Sequence, residues 1–266
     1  NEEGLFFFHD DFIRNKVSKK CIIDIDLFFC WGDIEKKNTA RIFKNIQSKL
    51  ILSGNSRIDI LKKENRGFLD DEANQIRNKH GNFILFNTRF GRANFIPRFG
   101  INSWLAGQFS NGNVSENNTE YLNLVKKSIL HEENNFRIFF DFLKIFNEKF
   151  PDKKLIIRPH PSENHEIYRL RTKKNKNIFV INDDKNTNSW ILASEYLIHC
   201  NCTTSVEAFI LKKKAINFMC FRDEEVEHLL PKIISDNVFS IDDLINKIDN
   251  NQKEINIDEE NYKIIK

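Results

Sequence analysis

Cysteine patterns that would indicate a metal site or a disulfide framework are missing from this sequence. The five cysteines are odd in number, and they form no Cys-x-x-Cys pair and no Cys/His spacing of the kind that binds zinc. Buried, reduced thiols are therefore expected. Asp24-Ile25-Asp26 has the spacing of an Asp-x-Asp metal motif, but it lies inside an apolar run that predicts a strand. We therefore expect neither a metal nor any other cofactor.

Long apolar runs and an excess of one charge are also missing. No uncharged run approaches the roughly 18–20 residues that cross a bilayer, which favours a cytoplasmic protein. The 41 Lys and Arg residues are interleaved with 38 Asp and Glu residues, so the net charge of +3 does not require a nucleic-acid partner. With 40% hydrophobic residues, the chain can bury a substantial core.

Short apolar runs alternate with helical patterns along most of the chain, which is typical of a doubly wound parallel sheet. The expected strands are residues 21–31, 50–52, 83–86, 155–157, 178–181, 196–199 and 215–218. The expected helices are residues 34–46, 70–79, 135–150, 165–172, 188–194 and 206–211.

This alternation is interrupted once, by a charged stretch, which predicts two Rossmann-like lobes that face each other across a cleft. We expect a partial N-terminal lobe over residues 1–62, a connection with few core residues over 63–80, a C-terminal lobe over 81–250 and a tail over 251–266. Because the first lobe is short, we expect it to be incomplete and the chain to be a piece of a longer protein.

The segment Arg158-Pro159-His160-Pro161 follows a buried strand, where open α/β sheets bind their ligands. Arg158 offers a fixed charge to a phosphate, and His160 offers a hydrogen bond or a second charge. The alternative is that Arg158 pairs with Glu163 and that His160 only ends the strand.

A second polar turn, residues 201–205, also follows an apolar strand and precedes a helix. Four of its five residues are Asn, Thr or Ser, more than a helix cap requires. Hydroxyl groups and free N–H groups at such a turn can hold a phosphate. Glu207 lies further into the helix, where it binds a ribose hydroxyl or only favours the helix dipole.

Two further turns are weaker candidates. The turn of residues 87–91 follows the strand of residues 83–86, and its Gly91 allows a close backbone approach. The turn Ser53-Gly54-Asn55 ends the first α/β unit and has an equally good interpretation as a turn without a further role.

Taken in order, these segments resemble the bacterial surface carbohydrate (polysaccharide) biosynthesis protein family. The resemblance is carried by residues 2–5 (EEGL), 28–33 (FFCWGD), 53–59 (SGNSRID), 81–94 (GNFILFNTRFGRAN), 158–163 (RPHPSE) and 201–208 (NCTTSVEA). It implies the two-lobed glycosyltransferase B architecture, with an acceptor-side N-terminal lobe and a C-terminal lobe that binds the nucleotide donor. The His-Pro motif is similar to that of Kdo transferases and CDP-glycerol polymerases.

The resemblance also implies roles for individual residues. Glu3 and His160 are the candidate catalytic residues, because Glu2-Glu3-Gly4 resembles the active-site loop of UDP-N-acetylglucosamine 2-epimerases. The candidate substrate-binding residues are Arg158, Ser162, Glu163, Asn201, Thr203, Thr204, Ser205, Glu207, Asn87, Thr88, Arg89, Gly91, Gly54 and Asn55.

The implied function is transfer of a sugar from a nucleotide-activated donor, CMP- or CDP-linked, to a growing surface glycan. The implied partners are this donor, a glycan or lipid-linked acceptor, and the assembly machinery at the inner face of the plasma membrane. Two alternatives stay open at this point. One is a nucleotide-sugar 2-epimerase, and the other is a non-catalytic nucleotide-sugar-binding subunit of a polysaccharide assembly complex.

Overall fold

The structure is a computed structural model that describes residues 19–94 and 119–250 of the chain. These residues form α-helices and two sheets in which every strand pair is parallel, so the α/β class expected from the sequence is confirmed. None of the helices in these two ranges is both long and apolar enough to cross a membrane.

The first part of the described chain forms a small sheet of two strands. Its elements are α1 (Lys19–Asp24), β1 (Phe28–Cys30), α2 (Asp33–Ile42), a 3-10 helix (Lys44–Lys49), β2 (Leu50–Leu52) and α3 (Ser56–Asp59). Strands β1 and β2 pair in parallel, and a small core of Ile22, Cys30, Phe43, Ile46 and Leu50 lies beside them.

The expected strand over residues 21–31 was wrong in its first half, where the chain is helical. A short apolar run does not distinguish a strand from a buried helical turn, because both can bury one residue such as Ile22. Asp24 therefore ends a helix, and the Asp-x-Asp spacing lies in the turn after it rather than inside a strand.

The rest of the described chain forms a six-stranded sheet. Its elements are α4 (Gly67–His80), β3 (Ile84–Asn87), α5 (Thr119–Lys149), β4 (Leu155–Arg158), α6 (His165–Thr172), β5 (Ile178–Val180), α7 (Thr187–Ala193), β6 (Leu197–His199), α8 (Thr204–Ile210), β7 (Ala215–Phe218), α9 (Leu229–Ile233), β8 (Asp236–Val238) and α10 (Ile241–Asp249). The strand order is β5-β4-β3-β6-β7-β8. The order reverses between β3 and β6, and an open α/β sheet binds ligands at the carboxyl ends of the strands beside such a reversal.

Both faces of this sheet are covered. On one face, Ile84 and Phe86 pack with Phe139 of α5 and Tyr168 of α6. On the other face, Leu85 packs with residues of α4, α7 and α8. The ends of the strands are consequently the part of the sheet that the covering helices leave accessible to a ligand.

Helix α4 corrects one expectation. The segment 63–80 was expected to contain few core residues, but Leu69, Ala73 and Ile76 are buried against Trp190 and Leu85. A helix of charged composition can still present one apolar stripe to a sheet. Helix α4 is therefore packed on the larger sheet, and the domain limits stay a prediction.

The other expected strands and helices lie where the patterns indicated, with shifts of one to a few residues at their ends. The expected helix over residues 135–150 is only the second half of α5, which begins at Thr119. Strand β8 and helices α9 and α10 were not predicted. Cys30, Cys200, Cys202 and Cys220 are free thiols, and the first three are buried as expected.

Helix α5 provides a matched test of this packing. Leu143 is 3% exposed in the core, whereas Leu130 on the same helix is 57% exposed. We expect Leu143→Ala to lower the free energy of unfolding by roughly 2–5 kcal/mol, because it leaves a cavity. Leu130→Ala should change it by less than about 0.5 kcal/mol. Urea unfolding of both variants tests the pair, and equal losses would contradict this placement of α5.

Candidate functional site

The polar turns singled out in the sequence begin side by side at the carboxyl edge of the larger sheet. Asn87 ends β3 and lies in register with Arg158 on β4 and with His199 on β6. Because β3 and β6 border the reversal of strand order, these three residues mark its carboxyl edge.

Arg158 is held by three contacts within the C-terminal half. Its Nη1 donates to Asp183 Oδ1 at 2.5 Å, and its Nη2 donates to the carbonyl of Lys185 at 3.3 Å. The guanidinium also lies 4.9 Å from the centre of the Trp190 ring. The ion pair with Glu163 that the sequence left open does not form, because Asp183 takes that place.

His160 is exposed and its ring is oriented by Ser162. Nδ1 of His160 lies 2.7 Å from Ser162 Oγ and accepts the backbone N–H of Ser162 at 3.2 Å. An accepting Nδ1 carries no proton, so the neutral imidazole carries its proton on Nε2. The backbone around His160 is fixed as well, since Thr88 Oγ1 accepts its N–H at 3.1 Å and His165 Nε2 lies 3.0 Å from its carbonyl oxygen.

Glu163 is 1% exposed and holds the turns after β3 and β4 together. Its Oε2 accepts hydrogen bonds from Thr88 Oγ1 at 2.7 Å and from the Tyr168 hydroxyl, and its Oε1 accepts the Phe90 N–H at 2.7 Å. In this arrangement the carboxylate contacts protein groups and is not exposed to a ligand.

Gly91 allows the close approach that the sequence suggested, but the approach is to Ser162. A Cβ atom at position 91 would lie 3.0 Å from Ser162 Oγ. Gly91 thereby leaves room for the hydroxyl that orients His160.

The turn after β6 divides into a buried and a partly exposed half. Asn201 is fully buried at a positive φ of 48°, and its side chain accepts the backbone N–H of His228 and donates to the carbonyl of His228. Ser205 is also buried and donates to the carbonyl of Cys202 at 2.8 Å. Thr203 and Thr204 are partly exposed at the start of α8. The hydroxyl oxygen of Thr204 is itself buried. Thr203 is therefore the polar residue of this turn that is best placed to meet a ligand.

Glu207 faces the N-terminal part of the chain. Its Oε1 lies 3.8 Å from Arg57 Nη2 in α3. Asn55 caps α3 by accepting the Arg57 N–H at 2.9 Å, and Gly54 precedes it at a positive φ of 72°. Gly54 and Asn55 therefore shape the turn that places Arg57 opposite Glu207. Glu3 lies outside the described residues.

The side chain of Asn87, unlike those of Arg158 and His199, has no hydrogen-bond partner among the described residues. It is 4% exposed, and both its Oδ1 and its Nδ2 are buried without a hydrogen bond to any described residue. Most buried amides in native proteins are paired. Two residues further along the chain, Arg89 is paired through one of its N–H groups, since Arg89 Nη2 lies 2.8 Å from His228 Nε2.

Three residues that sequence reasoning missed contribute to this edge. Asp183 binds Arg158, His228 binds Arg89, and His199 accepts the Cys202 N–H at Nδ1 while its Nε2 lies 2.9 Å from Ser235 Oγ. His199 is the last residue of a predicted strand, and this position could have identified it as a residue of the carboxyl edge. Asp183 and His228 lie far along the chain from their partners, and no local pattern marks them.

The burial of His199 makes acid stability a test of this edge. Burial lowers the pKa of His199 to about 3, from an ordinary value of 6.5. Between these two pH values the unfolded chain binds a proton that the folded chain does not, so the free energy of unfolding falls as the pH falls. We expect His199→Asn, which keeps an acceptor for Cys202, to remove on the order of a few kcal/mol of this dependence. Urea unfolding of both proteins from pH 7 to pH 4 measures this dependence. If the free energy of unfolding changes equally with pH in both, the lowered pKa of His199 is contradicted.

The contact between Gly91 and Ser162 gives a second test. In Gly91→Ala the new methyl group displaces Ser162 Oγ and weakens its bond to His160 Nδ1. We expect a change in the imidazole NMR signals of His160, with less than about 1 kcal/mol lost from the free energy of unfolding. Ser162→Ala should reproduce the spectral change. Gly67→Ala is the control because a Cβ there meets nothing within 4 Å, and a spectral change in this control would contradict the interpretation.

Neither a family model nor a curated protein sequence matches the chain. Among solved structures, it is similar to a variant of the wall teichoic acid polymerase TagF, with 12% identity and a TM-score of 0.54 over 88% of this chain and 52% of that one. TagF soaked with CDPG gives 14% identity and a TM-score of 0.51, with 88% and 50% coverage. A UDP-GlcNAc 2-epimerase from Methanocaldococcus jannaschii, solved with UDP-GlcNAc and UDP, gives 17% identity and a TM-score of 0.48, with 86% and 55% coverage.

The chain thus spans about half the length of these structures. At this identity the likeness to TagF shows the fold alone, and this fold agrees with the glycosyltransferase B architecture expected from the sequence.

Proposed function

We propose that this chain is the donor-binding part of a glycosyltransferase-type enzyme of bacterial surface polysaccharide biosynthesis. The proposed reaction transfers a sugar from a nucleotide-activated donor, CMP- or CDP-linked, to a growing glycan. The observation that carries this proposal is the exposed, oriented imidazole of His160 at the carboxyl edge of a sheet with the TagF type of fold. TagF is itself a polymerase by name, and one of its structures was soaked with CDPG.

The chemical role of His160 follows from its hydrogen bonds. In the transfer, the acceptor oxygen forms a bond to the sugar carbon. The bond between that carbon and the donor phosphate oxygen breaks, and its electron pair stays on the phosphate. Because Nδ1 accepts from Ser162, the proton on Nε2 is available for donation to that phosphate as negative charge develops. The acceptor hydroxyl gives up its own proton to a base, for which Glu3 is the candidate.

Other groups at the edge support binding of the donor in this proposal. Arg158 supplies a fixed positive charge that Asp183 and Trp190 hold in one orientation. Thr203 supplies a hydroxyl group beside the first turn of α8. Glu207, which lies opposite Arg57, is the candidate for a ribose hydroxyl. Positioned donors of this kind lower the barrier chiefly by orientation and by charge stabilisation.

The acceptor completes the proposal. A glycan or lipid-linked acceptor would bind on the N-terminal side, where the described chain has the two-stranded sheet and its short helices. An enzyme that acts on such an acceptor would lie on the cytoplasmic side of the inner membrane, in peripheral contact with the assembly machinery. We propose this location for the protein.

A comparison of His160→Ala with Arg169→Ala tests the function. Arg169 is exposed on α6 and pairs with Glu166, so it serves as the matched control. We expect His160→Ala to lower kcat for sugar transfer by about 10²- to 10⁴-fold, the usual contribution of a positioned acid or base. Arg169→Ala should keep the activity of the unmodified protein.

A calorimetric and thermal-shift screen with CMP, CDP, UDP and GDP accompanies this assay. A nucleotide at about 100 times its Kd should add roughly 2.7 kcal/mol to the free energy of unfolding. Selective stabilisation by cytidine nucleotides supports the proposal. Interconversion of a nucleotide sugar without an acceptor would replace it with an epimerase, and binding without turnover would replace it with a non-catalytic subunit.

A further inference from the structure

The carboxylate of Glu163 is linked to His160 through a single hydroxyl group. Thr88 Oγ1 lies 2.7 Å from Glu163 Oε2 and accepts the backbone N–H of His160 at 3.1 Å. A hydroxyl has one hydrogen and can accept two further bonds. When that hydrogen points to Glu163, a lone pair of Thr88 Oγ1 is turned toward the His160 N–H.

A second contact joins Glu163 directly to the backbone of His160. The backbone N–H of Glu163 donates to the carbonyl of His160 at 2.9 Å. The backbone of His160 is therefore held at its N–H by the turn after β3 and at its carbonyl by the residue that orients this turn. These contacts leave the imidazole exposed while its backbone is fixed.

We propose that Glu163 is a positioning residue, which acts through the Thr88 hydroxyl to fix the backbone of His160 and hence the direction of its imidazole. This inference rests on the proposed function of His160. It changes the role expected for Glu163, from contact with the substrate to support of the residue that contacts it.

The groups that face Glu163 come from four directions. Tyr168 of α6 and, from the turn after β3, Thr88 and the Phe90 N–H donate hydrogen bonds to it. Glu132 of α5 and Cys200 after β6 interact with it electrostatically. Of the charged groups, Glu132 is occupied by the guanidinium and the backbone N–H of Arg92. None of these neighbours brings a cation into contact with Glu163.

This environment makes the contact to Thr88 dependent on pH. Burial raises the pKa of Glu163 to about 7, although hydrogen bonds from Tyr168, Thr88 and Phe90 counteract the rise. Once Glu163 is protonated at Oε2, it donates to Thr88 Oγ1 instead of accepting from it. The hydroxyl hydrogen of Thr88 then points away from Glu163. Thr88 Oγ1 now accepts two hydrogen bonds, one from the Glu163 carboxyl group and one from the His160 N–H.

The first test is the exchange rate of the His160 backbone amide, measured by NMR without any substrate. Thr88→Val removes the hydroxyl with little change in volume, and we expect His160 amide exchange to quicken about five- to tenfold. Thr88→Ser keeps the hydroxyl and should restore the rate. Unchanged exchange in Thr88→Val would overturn the proposal, whether or not the protein is a transferase.

The second test is the pH dependence of the His160 imidazole signals. In the unmodified protein they should show an additional inflection near pH 7, since Glu163 titrates there. Glu163→Gln has no proton to titrate and should lack this inflection. Glu166→Gln is the control, because Glu166 is exposed at the start of α6 and contacts Arg169. A pH curve of the His160 signals in Glu163→Gln that is identical to that of the unmodified protein would overturn the proposal.

The kinetic consequence separates this inference from the proposed function. If the protein transfers a sugar, Glu163→Gln should lower kcat about tenfold with KM nearly unchanged, because the donor contacts remain. Absence of sugar transfer in the unmodified protein as well as in every variant would reject the function and leave the two NMR results standing. A normal kcat in Glu163→Gln would reject the positioning role alone.

Discussion

Strand β3 constrains the whole structure, because both of its faces must be buried between layers of helices. Its four residues are all buried, with Phe86 facing α5 and α6 and Leu85 facing α4, α7 and α8. A central parallel strand of this kind is uniformly apolar until it ends. The first polar residue after this run is Asn87, and the candidate site begins there. The position of the site is thus a consequence of how the core is covered.

Beyond the end of this strand, the buried polar side chains mainly form hydrogen bonds to the backbone and side chains of neighbouring loops. Asn201 pairs with the backbone of His228, and His199 accepts the N–H of Cys202. Glu163 joins the turns after β3 and β4. An unpaired buried polar group costs about 1–3 kcal/mol, so each of these pairs also restricts the loop that supplies the partner. The turns of the candidate site are held in place by buried groups of this kind.

The sequence was most informative where local rules decide the structure. Strand β4 and helix α6 were predicted closely, because an apolar run ends at a proline and Asn164 caps the helix by accepting the Glu166 N–H. The helix at residues 19–24 was missed, since a short apolar run is compatible with either secondary structure.

Pairs between distant residues were beyond the same reasoning. Asp183, and not Glu163, binds Arg158, because the turn after β5 passes beside the end of β4. Glu163 lies closer in the sequence, but its carboxylate points into the core toward Tyr168. Local patterns therefore predicted where the polar turns lie, whereas burial and partner choice decided which of their side chains face outward.

Asn87 combines a position that the local sequence pattern predicts with a burial that the tertiary structure decides. Its amide is buried at the reversal of strand order, and it has no hydrogen-bond partner among the described residues. Its neighbours in register cannot compensate, since Arg158 is engaged by Asp183 and His199 by Cys202 and Ser235. Unsatisfied buried groups are rare in native proteins and call for a structural or functional reason. A ligand or a water molecule that offers both a donor and an acceptor would recover this cost at the point of the sheet where α/β proteins bind their ligands.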